Sequence, residues 1–180
     1  MPRVRRTTDN EQRQLIAYVR SLSRAAQASG LGDPQKGSAV YQRTGCSSCH
    51  VIKGDGGTVG PELTIIGTQR GPDYIRQAIL DPGAVLPHGS QPVPSRNLDE
   101  FLPVRVVTRE GREIRGTRIN EDTFTIQVRD SCQVHSFRKA ELRQMEKEFG
   151  KSLMPEYKDR LSASDLGDLV AYLSSLGGTK

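Results

Sequence analysis

The chain has 180 residues, 26% charged and 34% hydrophobic, and a formal net charge of +5. That length suits one domain with an insertion or two small domains. No window approaches the roughly 20 apolar residues of a membrane span. The mild, scattered positive charge suits acidic protein surfaces and gives nucleic-acid binding little support. Aromatic residues are only 5% and Trp is absent, thin material for a core that a bound apolar cofactor would complete. Three cysteines, Cys46, Cys49 and Cys132, do not make a disulfide framework. The start, "MPRVRRTTDN", lacks the apolar stretch of a signal peptide. The chain therefore reads as cytosolic, or as a mature or excised piece of an exported protein.

In chain order, residues 8–22 read as a helix. Thr8 and Glu11 stand at capping-box spacing, and Leu15, Ile16, Val19 and Leu22 follow a 3.6-residue period. Asp33 and Pro34 suit the cap and first position of a second helix running to about Arg43. A Cys/His motif and a glycine-rich loop, Gly54 to Gly60, come next. A third helix is expected from Asp73 to Leu80, and residues 87–99, with three prolines, read as a linker.

From about residue 102 the pattern changes to short alternating runs punctuated by "EG" at 110–111 and "NED" at 120–122. These predict antiparallel strands at about 102–109, 112–119, 123–129 and 133–137. A short helical piece is expected from Lys139 to Lys147. The last helix begins near Ser162 with Asp165 at capping-box spacing. It buries Leu166, Leu169, Val170, Leu173 and Leu176, and ends at Gly177-Gly178. The first and last helices share L-x-A-Y-x-x-S-L. Either amphipathic helices simply share composition, or residues 1–30 are the closing helix of a preceding copy of the same domain.

The stretch "GCSSCH", Gly45 to His50, carries the chemistry. C-x-x-C-H is the attachment signature of c-type haem. Two residues between the cysteines let both sulfurs reach vinyl positions on one porphyrin edge, and the next residue then lies under the ring. Cys46 and Cys49 would be the thioether ligands and His50 the proximal axial ligand. A thioredoxin-like C-x-x-C needs a preceding strand, and none is expected before Gly45. A zinc site would need Cys132, His88 or His135 to join the pair, and none has finger-like spacing.

The motif with its flanks resembles class I cytochrome c. "GDPQKGSAVYQRTGCSSCH" is similar to that family's first helix and haem site, which implies that Gly37 and Tyr41 are the contact points where this helix crosses the last one, with Tyr172 opposite. "GPELTIIG" is similar to its Gly-Pro-x-Leu segment. The resemblance implies that the Pro61 carbonyl accepts a hydrogen bond from His50 Nδ1–H, and that Leu63 packs on the haem. "MP" at 154–155 matches the distal-ligand position, making Met154 the second iron ligand. Met145 is a competitor without the proline context, and His88 or His135 would give a bis-His form. Arg70, Tyr74 and Arg76 are candidates to reach the haem propionates by position.

The β segment departs from the small members of that family. The layout is similar to bacterial haem-binding domains associated with quinoprotein dehydrogenases, whose insertion shares the pattern of "VVTREGREIRG". The expected fold is mainly α: a cytochrome c-like helical haem domain over 31–90 and 148–180, with a small antiparallel Sm- or SH3-like β barrel inserted at 91–147. The insertion would be a lid over the haem edge or a partner-docking module.

The function so implied is electron transfer by one covalent haem c with His50 and Met154 as axial ligands. The chain would be a carrier rather than an enzyme, periplasmic or otherwise exported. Its partners would be redox proteins such as a quinoprotein dehydrogenase or a terminal oxidase chain, with no nucleic acid and no membrane span. Two other readings stay open: an open distal site with peroxidase-like or gas-binding chemistry, and a zinc-binding interaction module.

Overall fold

The structure is a computed structural model that describes residues 8–25, 32–84, 86 and 101–177. Arg3, Arg5, Arg6, the 87–99 linker with His88, Gly178 and the side chain of Leu22 lie outside the described residues. The chain divides into two compact units, Met1–Leu31 and Gly32–Lys180. Among the described residues no helix is long and apolar enough to cross a membrane.

The first unit contains helix α1 (Asp9–Ala25). Its start is the expected capping box: Thr8 N–H donates to Glu11 Oε2 at 2.8 Å, and Glu11 N–H donates back to Thr8 Oγ1 at 3.3 Å. The predicted apolar stripe is there, but Leu15, Ile16 and Val19 are half exposed or more.

In the second unit, α2 (Pro34–Arg43) is capped by Asp33, whose carboxylate accepts from Gln35 N–H. A two-strand hairpin, β1 (Val51–Ile52) and β2 (Asp55–Gly56), turns through Lys53 and Gly54, both at positive φ as a primed turn demands. Two short helices follow, α3 (Ile66–Gln69) and α4 (Pro72–Leu80). The last helix, α5 (Ala163–Ser175), starts with Asp165 N–H donating to Ser162 Oγ at 3.0 Å. Its predicted stripe, Leu166, Leu169, Val170, Leu173 and Leu176, is buried.

Helices α2 and α5 cross at Gly37, where a Cβ would overlap the Asp168 carbonyl and lie 2.7 Å from Tyr172 Cβ. One turn on, the rings of Tyr41 and Tyr172 meet at 5.8 Å. The Asp168 carboxylate accepts from Asp33 N–H at 2.7 Å, tying the start of α2 to the side of α5.

The β segment is a five-stranded antiparallel sheet: β3 (Pro103–Thr108), β4 (Glu113–Glu121), β5 (Thr125–Arg129), β6 (Val134–Arg138) and β7 (Leu142–Lys147). The order is β6-β5-β4-β3-β7. The expected barrel does not close among the described residues: the outer strands β6 and β7 do not pair with each other. The predicted helical piece at 139–147 is also corrected. Only Lys139–Glu141 makes a 3-10 turn, and the rest is strand β7. Its residues favour helix in isolation, but Leu142 and Met145 gain burial against the sheet core only as a strand pairing with β3. The second hairpin turn lies later than expected, at 122–124, with the Asp122 carboxylate accepting from Phe124 and Thr125 N–H. A bulge between Arg118 and Asn120 supplies the shift.

Candidate functional site

The Cys/His motif begins where α2 stops. Thr44 closes the helix, and its Oγ1 donates to the Val40 carbonyl at 2.7 Å while lying 3.2 Å from Cys46 Sγ. Gly45, at φ 74°, turns the chain into a 3-10 turn, Cys46–Ser48. Cys49 N–H and His50 N–H both donate to the Cys46 carbonyl, at 3.2 and 3.1 Å. Both cysteines are half-buried free thiols. Burial pushes the Cys46 thiol above its ordinary pKa.

His50 is 9% exposed. Its Nδ1 lies 2.7 Å from the Pro61 carbonyl. A carbonyl only accepts, so Nδ1 carries the proton and Nε2 keeps its lone pair. Burial lowers the imidazole pKa, which favours that neutral form, although the Pro61 bond opposes it. The His50 carbonyl takes a hydrogen bond from the buried Tyr41 hydroxyl at 3.0 Å. Burial pushes the Tyr41 pKa up to about 12, so it remains a donor.

The glycine-rich loop is built by close backbone approach. Gly57 N–H donates to the Ser47 carbonyl and Gly60 N–H to the Cys49 carbonyl, each at 2.8 Å. Leu63 N–H donates to the Val51 carbonyl, also at 2.8 Å. A side chain at Gly56 would overlap the His50 carbonyl, and one at Gly57 the Ser48 carbonyl. A Cβ at Gly60 would lie 2.6 Å from His50 Cε1. The loop is a cradle that only glycine fits around the motif and the imidazole face.

A neutral imidazole with a free Nε2 and two unpaired thiols at C-x-x-C spacing form a donor set that fits a covalently attached haem. Leu63 is half-buried beside this loop. Tyr157, which sequence reasoning missed, is buried; burial pushes its pKa up, and Cys46 adds to the rise. The Tyr157 N–H donates to the Ile79 carbonyl at 3.2 Å. Met154, three residues earlier, is half-buried, and its N–H donates to Ser152 Oγ at 3.0 Å. It lines a cleft of about 540 Å³ with Pro82, Gly83, Arg115 and Lys151.

The other candidates lie elsewhere. Met145 is on β7, packed against the core of Val104, Val106 and Ile126. His135 Nε2 meets Asp130 Oδ2 at 2.7 Å, and its ring stacks on Phe137. Cys132 is exposed in the β5–β6 turn. Among the described residues no three of His, Cys, Asp and Glu converge as a metal group, so the zinc grouping of Cys46, Cys49, Cys132 and His135 is not assembled. Arg70 and Tyr74 pair with each other, the guanidinium 5.0 Å from the ring centroid, and Arg76 is half-buried on α4.

Two further residues reach the loop from the sheet: Thr117 Oγ1 donates to the Val59 carbonyl at 3.1 Å, and Arg129 Nη1 to the Thr58 carbonyl at 3.2 Å. Nothing in the local sequence around either residue marks this role. No curated protein matches the chain. A family model described as Cytochrome c matches residues 34–96, which takes in α2, the Cys/His motif and Pro61 and stops short of the β sheet and Met154.

Proposed function

We propose that the chain carries one covalent haem c and transfers electrons, with Cys46 and Cys49 holding the group and His50 and Met154 as its axial ligands. The carrying observation is the 2.7 Å contact of His50 Nδ1 with the Pro61 carbonyl inside a glycine cradle. It orients a neutral imidazole and leaves Nε2 for a metal. The match of residues 34–96 to Cytochrome c supports the same reading, since such domains are typically electron carriers. The haem supplies a one-electron couple when bound. The thioether of Met154, soft and neutral, favours the ferrous state. Tyr157 is buried and its N–H donates to the Ile79 carbonyl, which ties the 154–157 segment to α4.

In this reading residues 31–90 and 148–180 make the haem domain, and 91–147 are an insertion that carries the five-stranded antiparallel sheet. Residues 1–30 are a separate element, and the redox partner is a protein such as a quinoprotein dehydrogenase. Covalent haem attachment places the chain outside the cytoplasm.

The test is the absorption spectrum of the purified protein with its alkaline pyridine haemochrome. Sharp reduced α and β bands and a thioether-type haemochrome are expected, with a weak near-infrared band from sulfur–iron ligation. Met154→Ala should abolish that band, turn the ferric protein high-spin and lower the potential, while Met145→Ala should leave all three unchanged. A high-spin wild-type spectrum would overturn the Met154 assignment in favour of an open distal site. A colourless protein would overturn the haem reading.

A further inference from the structure

The loop that orients His50 is held from two sides. Its own amides run back to the motif: Gly57 to Ser47, Gly60 to Cys49, Leu63 to Val51. The carbonyls of Thr58 and Val59 instead take donors from the β sheet. Those donors are not scattered. Thr117 on β4 and Arg129 on β5 are direct cross-strand partners. They reach consecutive carbonyls, Val59 and Thr58, immediately before Gly60 and Pro61.

Thr117 is 2% exposed, so a hydroxyl without a partner would be costly there. Gly116, beside it, admits no side chain, because a Cβ would overlap the Arg129 carbonyl. The bulge after Arg118 ends the regular register just beyond this pair. The pair is the end rung of the β4–β5 ladder, and it is continued outward by Pro103 on β3 and Val134 on β6, so the two donors sit on one row across four strands.

The consequence passes through two residues. Gly60 lies against the His50 ring, and the Pro61 carbonyl accepts the Nδ1 proton. A carbonyl held still keeps that hydrogen bond short. A stronger bond to the distal ring nitrogen makes a ligating imidazole more basic, and a more basic ligand favours the oxidised metal. We propose that Thr117 and Arg129 are positioning residues: a two-point clamp through which the inserted sheet fixes residues 58–61 and sets the reduction potential of the haem that His50 ligates. The proposal rests on the haem reading and extends it, giving the sheet a role in tuning the proximal side.

The experiment uses the full holoprotein and two readouts: the midpoint potential from a spectroelectrochemical titration, and the exchange rate of the His50 Nδ1 proton from NMR. Thr117→Val keeps the shape and removes the donor. Arg129→Met keeps the stem and removes the fork. Each should shift the potential upward and speed Nδ1 proton exchange severalfold, and Thr117→Ser, which restores a hydroxyl, should return both toward wild type. Ile114→Val, which loosens the same strand without touching the loop, should move neither.

The proposal is overturned if Thr117→Val and Arg129→Met leave both readouts at wild type, or if Ile114→Val moves them as much. Should Thr117→Val fail to fold, Arg129→Met at the half-exposed end of the clamp decides the matter alone. A wild-type protein with no thioether-type haemochrome would overturn the haem reading instead. Proton exchange at His50 in Arg129→Met would then still say whether the clamp holds the loop.

Discussion

The region around the Cys/His motif and the β sheet are built in different ways. The sheet has a core of side chains: Val104, Val106, Ile126 and Val128 are fully buried and Ile114 nearly so, with Phe137, Leu142 and Met145 against them. Its rim is polar and charged: Arg105 bridges Glu113 and Glu146, and Glu121 gathers Lys139 and Lys147. The motif region has buried side chains on α2, α4 and α5 too, but around the motif itself backbone lies on backbone. Gly37 admits α5, Gly56 and Gly57 admit the motif, Gly60 admits the imidazole, and Gly67 admits the Ser174 carbonyl at the end of α5. The sheet closes its core with its own side chains, whereas the helices around the motif add to their buried stripe a set of close backbone approaches that only glycine permits. Adding an atom should therefore damage the motif region, and removing atoms should damage the sheet.

The largest effect is expected from taking atoms out of the sheet. Ile126→Ala should cost about 3–4 kcal/mol, since the side chain is fully buried in the sheet's hydrophobic cluster. Native-state hydrogen exchange should show the loss across β3 to β6 and spare the amides of α5. Equal loss of protection in α5 would mean that the two regions open as one and would end the distinction.

Gly37→Ala tests the other side. It adds one carbon, and that carbon meets the Asp168 carbonyl and Tyr172, so helices α2 and α5 must part. The cost should be about 2–3 kcal/mol, the upper range of overpacking. The protection lost should lie in α2 and α5, with the Tyr41–Tyr172 contact disturbed and the sheet intact. A neutral substitution would show that the helix crossing is loose and its close approach dispensable.

The smallest effect sharpens the comparison at the rim of the sheet. Burial pushes the Glu121 pKa up, but hydrogen bonds and charge from Lys139 and Lys147 outweigh it and hold the carboxyl at about 2, against an ordinary 4.5. A carboxyl depressed in the folded state stabilises it fully above pH 4.5, and that contribution fades as the pH falls from 4.5 toward 2. The difference should be about 1 kcal/mol once solvent screening is allowed for. Urea unfolding across that window, followed by sheet signals, should be steeper in pH for wild type than for Glu121→Gln. Identical slopes would remove the ion cluster from the account of the sheet.

What could be read along the chain was whatever depends on near neighbours. The caps at Thr8, Asp33 and Ser162 and the stripe of α5 follow from short spacings, because a helix repeats every few residues and its ends need local partners. The Cys46, Cys49 and His50 spacing is local as well, and so is the run of glycines after it, though not the reason each must be glycine. The tertiary structure alone decided three things. Residues 142–147 became strand β7 because pairing with β3 buries Leu142 and Met145, which outweighs the helical preference of their neighbours. Among the described residues the sheet stayed open because β6 and β7 each found a partner on one side only. Thr117 and Arg129 became supports of the His50 loop because hydrogen bonds spanning 58 and 71 residues are set by how a sheet packs on a loop, which no short stretch of sequence encodes.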